Sequence, residues 1–298
     1  MELQWPLIIF TTFIAWSAGI FATQGFCALN GTAKKSQMPA LVTGLIVMVI
    51  GGIAVFTHLQ HWERIFNGFG HITSGITQEL IGIVLVVVVA FLFFVFMRRS
   101  EDGASVPKWC AVLMIAMPVV LDVVMAHSYL MAGRPAWNTM LWVVFILGNS
   151  CVLGPATVAI ISAVRHEQPI EILGLANLVG SAVNLFAALL YYVFLFTMAD
   201  GGFAKVQYFF DPTNPPLDVT ANTTSVTSIM GANSVAIVLL GIVIGAVVPV
   251  IAAFVGRKST EKNSWAIWGS LIVVCAMIGA LVGRVTFYLC GLTVFQLF

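Results

Sequence analysis

Apolar residues run through this chain in eight long blocks, about 5–29, 39–59, 74–97, 109–131, 137–164, 169–198, 233–256 and 264–292, with polar residues gathered in the gaps between them. A helix rises about 1.5 Å per residue and the hydrocarbon core of a bilayer is roughly 30 Å thick, so about 20 apolar residues cross it. The pattern therefore predicts an all-α, polytopic membrane protein: eight transmembrane helices in one integral membrane domain, 1–298. One connection is long, 199–232. It holds Asp211-Pro212-Thr213-Asn214-Pro215-Pro216, which is not helical throughout because proline removes a donor and clashes with the preceding turn. The first block begins at Trp5 without a basic segment or a small-residue cleavage site, so it reads as a retained span rather than a signal peptide.

Within the blocks, Gly51-Gly52, Gly174 with Gly180, and Gly241 with Gly245 provide small faces for close helix packing. Pro118 and Pro155 should kink or locally unwind the fourth and fifth helices. Asn177 and Asn184 stand seven apart on one face and, with Asn149, are expected to bond between helices.

Composition sharpens this picture. Charged residues are 8% of 298 residues and hydrophobic residues 60%, so very little chain is available to water. Lys and Arg decide orientation. Lys34, Lys35, Arg98, Arg99, Lys108, Arg165, Arg257, Lys258 and Lys262 fall in the odd-numbered connections, against Arg64, Arg134 and Lys205 on the other side. Both termini are thus expected on the non-cytoplasmic side of the cell membrane. A net charge of +1, with no basic patch or phosphate loop, gives no sign of nucleic-acid binding. The five cysteines form no C-x-x-C, which excludes an iron–sulfur cluster of usual spacing, and no metal site is expected.

Charge inside a membrane is costly and marks function. Counting along the helices puts Glu79 roughly 8 Å and Asp122 roughly 13 Å below the outer surface. His127, Arg284, Tyr288 and His58 belong to the same half. Two buried ion pairs, for example Arg284 with Asp122, would account for the charges structurally. The functional account is one polar pocket opening outward, because two histidines suit proton exchange near neutral pH. Phe56, Trp62, Phe66, Phe69, Trp137 and Phe287 make its surroundings apolar and aromatic. A ligand with an aromatic head, two ionisable hydroxyls and an apolar tail fits: a quinol, whose oxidation yields two electrons and two protons. The alternatives are a di-haem cytochrome b, for which only His58 and His127 are placed to pair, and a secondary transporter, whose inner half-site is not visible.

The segment His58-Leu59-Gln60-His61-Trp62-Glu63-Arg64-Ile65-Phe66-Asn67 resembles the H-L-G-x-P-x-R-x-x-N motif of the membrane-anchor subunits of dimethyl sulfoxide reductases (DmsC-like anchors). Ser74-Gly75-Ile76-Thr77-Gln78-Glu79 is similar to that family's S-x-L-S-x-E, residues 2–10 to its E-W-P-L-x-x-F, Pro135-Ala136-Trp137 to P-T-W, Gly154-Pro155 to G-P, and Gly283-Arg284-Val285-Thr286-Phe287-Tyr288 to G-R-x-x-F-Y. Gln60 and Trp62 depart from the pattern, and His127 stands where the family has an arginine. The resemblance implies a haem-free anchor of a prokaryotic membrane that oxidises menaquinol near the outer face. It would pass electrons to a ferredoxin-like subunit with [4Fe–4S] clusters and on to a molybdopterin catalytic subunit, both docked outside. It ties the residues matching His58 and Glu79 to quinol binding, with Arg64 the matching arginine, and His58 and Glu79 are expected to accept the protons. Arg64, Asp122, His127 and Arg284 would orient or tune, with Tyr288, Trp62 and Phe66 lining the site.

Overall fold

The computed structural model describes residues 3–58, 61, 70–167, 170–199, 201–203, 223–259 and 263–294. Among these, eight helices are long and apolar enough to cross a membrane, and the chain is a multi-pass membrane protein. They are α1 (Trp5–Leu29), α2 (Gln37–Phe56), α3 (Gly75–Arg99), α4 (Lys108–Ser128), α5 (Met140–Val164), α6 (Glu171–Thr197), α8 (Ser234–Lys258) and α9 (Ser264–Leu289). A short helix α7 (Val226–Ala232) precedes α8. The long connection contributes a two-stranded antiparallel hairpin, β1 (Gly201–Phe203) with β2 (Thr223–Ser225). Its proline-rich middle, Asp211 to Pro216, lies outside the described residues.

Helix α1 packs on α2, α4 and α5; α5 packs on α6 and α9; α8 closes the far side against α9 and α6. Accordingly α1 and α5 are the most buried spans, while α3 leans almost wholly on α4. At the centre α1 and α5 meet backbone to backbone: a Cβ on Gly154 would fall 2.1 Å from the carbonyl oxygen of Gly19. Burial in lipid gives no hydrophobic drive between helices, so such close approach is what holds them. Of the glycines singled out by sequence, Gly180, Gly241 and Gly245 lie in helix contacts, whereas Gly52 has no heavy atom within 4 Å of a built Cβ.

The prolines behave less disruptively than expected. Helices α4 and α5 continue through Pro118 and Pro155 rather than unwinding. Pro155 leaves the carbonyl of Cys151 without its i+4 amide, and Gly180 of α6 lies directly against that carbonyl. Pro249 has the larger effect. The turn before it is widened into a π-type helix over Ile237–Val247, which relieves the ring's clash with the preceding turn.

The two ends of the bundle are chemically distinct. At one end Lys34 Nζ meets Asp102 Oδ2 at 2.7 Å. Glu167 there accepts from the Lys35 amide at 2.8 Å and from the Ser36 hydroxyl. The first, third and fifth connections are thus tied together. Lys34, helped by the Ser105 hydroxyl, holds the Asp102 carboxyl below its ordinary range. At the other end the residues after α9 pair with β1 (Phe203 N to Thr293 O, 2.8 Å), and Val294 N reaches Gly133 O at 3.1 Å. Arg134 donates to Gly291 O and lies over the Trp137 ring, 4.7 Å from its centroid. Gly133-Arg134 and Gly283-Arg284 both lie toward this end of the molecule.

Candidate functional site

Among the described residues the expected polar groups divide between three neighbouring places. Among these described groups the packing does not form one shared outward cavity.

The first place is the seam between α3 and α4. The buried face of α3 runs through Thr77, Glu79, Val86, Val89, Ala90, Phe93 and Met97, a stripe of three- and four-residue steps. Gly75 and Gly82 continue the same stripe. A Cβ on Gly75 would stand 2.6 Å from the Ser128 Cβ, and one on Gly82 would stand 2.9 Å from a Leu121 methyl. These two glycines let α3 approach closely, and Glu79 between them is held against α4. Its carboxyl is buried and accepts from the Ser128 hydroxyl. Tyr129 and Tyr288 come close enough for their hydroxyls to sense its charge and to interact with each other.

The second place is a sealed polar network around Arg284, which is 0% exposed. Its Nε donates to Thr11 Oγ1 (3.0 Å), Nη2 to Thr11 O (3.1 Å), and Nη1 to Asn149 Oδ1 (2.7 Å) and Ala280 O (3.0 Å). Asn149 Nδ2 donates to Asn184 Oδ1 at 3.0 Å, and Asn184 Nδ2 to Gly245 O at 3.3 Å. That carbonyl is the one Pro249 leaves without an i+4 amide. The expected interhelical role of Asn149 and Asn184 is borne out in this chain of bonds, and Asn177 Nδ2 reaches Pro155 O at 3.2 Å.

The third place is Asp122, 1% exposed, whose Oδ2 accepts from Ser150. Its Oδ1 has no partner. Arg284 lies within electrostatic range of it, but the two are not an ion pair. Among the described residues the ion pair within 4 Å is Lys34 with Asp102.

The histidines are elsewhere. His58 follows the C-cap residue Thr57 of α2 and is exposed, and His127 is exposed in the last turn of α4. Helical phase explains the second case. At 100° per residue His127 stands about 140° from Asp122, whereas Tyr129 returns to within about 20° of it. Arg64, Trp62 and Phe66 lie outside the described residues, as does Phe69. Ser128, Ser150, Thr11 and Tyr129 are partners that sequence reading did not single out as site residues. Tyr129 was marked only by its helical phase against Asp122.

Above the Arg284 network the rings of Trp137, Phe287, Trp142 and Phe145 stack in sequence. Their centroids are 4.4, 4.0 and 5.7 Å apart, with interplanar angles of 11°, 19° and 17°. Trp137 Nε1 donates to Phe287 O at 2.6 Å. A Cβ on Gly283 would lie 2.1 Å from the Phe145 ring. The close Gly283-Arg284-x-x-Phe287-Tyr288 thus has a local reason at each fixed position: room for a ring, a buried guanidinium, a stacked ring and a seam hydroxyl.

Eight apolar helices, a carboxylate on a lipid-side seam and a sealed arginine network define a polytopic membrane subunit with buried polar chemistry near one end. The family description "DMSO reductase anchor subunit (DmsC)" matches residues 1–292, and the chain belongs to that family. It is a DmsC-type membrane anchor of a dimethyl sulfoxide reductase oxidoreductase complex. No curated protein matches the chain.

Proposed function

We propose that this anchor oxidises a quinol, menaquinol by family expectation, at the end of the bundle where α3 begins and α4 and α9 end. The observation that carries the reading is Glu79: a buried carboxyl with a hydroxyl as its side-chain partner, facing no cation within ion-pair distance among the described residues. Such a group takes up and releases a proton, where an ion-paired one would be locked. Oxidising a quinol to a quinone removes two electrons and two protons. Glu79 would accept one proton and His58, at the end of α2, the other. The connection carrying Arg64, Trp62 and Phe66 joins α2 to α3 at this same end and would form the mouth. Arg284 and Asp122 set the local field, His127 lies at the rim, and Tyr288 offers its hydroxyl to the head group. The electrons leave to an iron–sulfur subunit with [4Fe–4S] clusters and then to a molybdopterin catalytic subunit, with no haem in this chain. By the distribution of lysine and arginine this end faces away from the cytoplasm, so the protons are released outward.

The test is Glu79→Gln in the assembled complex. Quinol-driven reduction should fall at least tenfold, as expected for loss of a general base. Reduction driven by a soluble dye that feeds the catalytic subunit directly should be unchanged. Full quinol-driven turnover in this variant would refute the assignment.

A further inference from the structure

A cavity of about 390 Å³ lies between α1, α4, α5 and α6. It extends along α6 from Ile172 to Val183, about 16 Å at the helical rise. Its floor is made shallow by helix contact: a built Cβ on Gly19 or Gly180 would strike the carbonyl oxygens of Ser150 or Cys151 at 2.2 and 1.9 Å. Its rim residues Phe26, Leu175 and Val179 are exposed on the side of the bundle, so the cavity is a groove open to the bilayer. The lining is apolar except for Asp122, Ser150 and Thr23, whose hydroxyl is already given to the Gly19 carbonyl at 2.8 Å. Asp122 is the single charged residue there, and it is buried with Oδ1 unpartnered.

The chemistry of the lining selects the occupant. An acceptor oxygen without a donor calls for an O–H or N–H. No basic side chain lines the groove, so phosphate and carboxylate head groups find no partner. Asp122 stands six residues from the end of α4, about 9 Å down, deeper than the polar head of a glycerolipid sits. A phenolic hydroxyl on an apolar body meets all three conditions. We infer that the groove holds a quinol of the membrane pool at a second position, apart from Glu79, with a head-group hydroxyl donating to Asp122 Oδ1 and the tail lying between α4 and α6. The inference rests on the proposed function only for the identity of the carrier.

Cys151 reports on occupancy, because it lines the groove and is exposed while Cys27, Cys110, Cys275 and Cys290 are buried. The whole complex in nanodiscs of saturated phosphatidylcholine is treated with N-ethylmaleimide, and alkylation of Cys151 is followed by mass spectrometry. A decyl-naphthoquinol should slow alkylation several-fold, and decylbenzene, which lacks the hydroxyls, should not. Asp122→Leu should abolish the protection, measured against the rate of the same variant without quinol. Glu79→Gln should keep the protection while quinol-driven turnover is lost, which separates this site from the proposed oxidation site. Equal protection by decylbenzene, no protection by the quinol, or undiminished protection in Asp122→Leu overturns the inference. The comparison of the two probes on the native chain decides the matter even where a variant does not fold.

Discussion

Asn149 and Ser150 are consecutive residues on α5, and each holds a charge: Asn149 Oδ1 accepts from Arg284 Nη1 at 2.7 Å, and Ser150 donates to Asp122 Oδ2. Successive helical residues point about 100° apart, so this pair turns one helix edge into a spacer between a guanidinium and a carboxylate. The charges stay within reach of each other's field without closing an ion pair. Removing one leaves the other in the membrane interior without its opposite. A double-mutant cycle of Arg284→Met and Asp122→Asn should therefore be strongly non-additive, with a coupling above about 0.5 kcal/mol in reversible unfolding from mixed micelles. Additive losses would mean that the two sites are electrically independent.

The Glu79 seam depends on the absence of side chains at two glycines. Leucine at Gly82 would meet a Leu121 methyl that already lies 2.9 Å from a built Cβ, and at Gly75 it would meet Ser128. Overpacking of this kind costs about 1–3 kcal/mol. Gly75→Leu and Gly82→Leu should destabilise the chain by that amount and reduce quinol-driven turnover, because α3 is pushed off the partner of Glu79. Gly52→Leu, in open space, should change neither. Turnover that survives both seam substitutions would show that the Glu79–Ser128 contact is dispensable.

The spans were legible because lipid imposes length and apolarity on every crossing helix, and the observed limits depart from the expected ones by a few residues at the helix ends. Glu79, Asp122, Arg284 and Tyr288 were legible as buried chemistry because charge and hydroxyls in apolar blocks stand out. What sequence did not resolve was rotation. His127 lies two residues before Tyr129, yet is exposed while Tyr129 is half-buried, and helical phase against Asp122 distinguishes these two. Depth alone put all these residues in one pocket; three helix interfaces divide them. Pro249 also escaped notice, since its consequence falls on Gly245 and Asn184, which are distant in sequence or hidden inside an apolar run.

That consequence can be measured. Asn184 Nδ2 serves the Gly245 carbonyl that Pro249 leaves without its usual amide. Asn184→Ala removes a donor from that carbonyl and leaves one Asn149 donor unpaired, and should cost about 1–3 kcal/mol. Pro249→Ala restores an amide in the helix, so the same Asn184→Ala change should cost less in that background, by about 0.5 kcal/mol or more. Equal costs in both backgrounds would show that Asn184 is not compensating for the proline.

At the basic end, Asp102 accepts from the Ser105 amide at 2.9 Å and the Ala104 amide at 3.2 Å, besides Lys34. Its carboxyl is held below the ordinary range, first by Lys34. A depressed folded value gives a contribution that is complete above the unfolded value, about 3.9, and lost as pH falls through the folded one. Hydrogen exchange of the Ala104 and Ser105 amides should be insensitive to pH-linked loosening from about pH 5 to 8 and should show it only below about pH 4. Asp102→Asn should speed exchange there at neutral pH without moving the melting temperature, because the pair is exposed and screened.

The direction of proton release depends on which end of the bundle faces the cytoplasm. Lys34, Arg98, Arg99, Lys108, Arg165 and Arg257 sit at one end, in or beside connections that the Lys34–Asp102 and Ser36–Glu167 contacts bind together. Glu79, Arg134 and the residues after α9 mark the other. Basic connections are retained in the cytoplasm during insertion, so Glu101, exposed between α3 and α4, should be cytoplasmic, and Ala132, exposed after α4, should not. Glu101→Cys should react with a membrane-impermeant maleimide only in inverted vesicles, and Ala132→Cys only in intact cells with a permeabilised outer envelope. The reverse pattern would turn the Glu79 seam toward the cytoplasm. Quinol oxidation there would then release its protons inward and add nothing to the membrane potential.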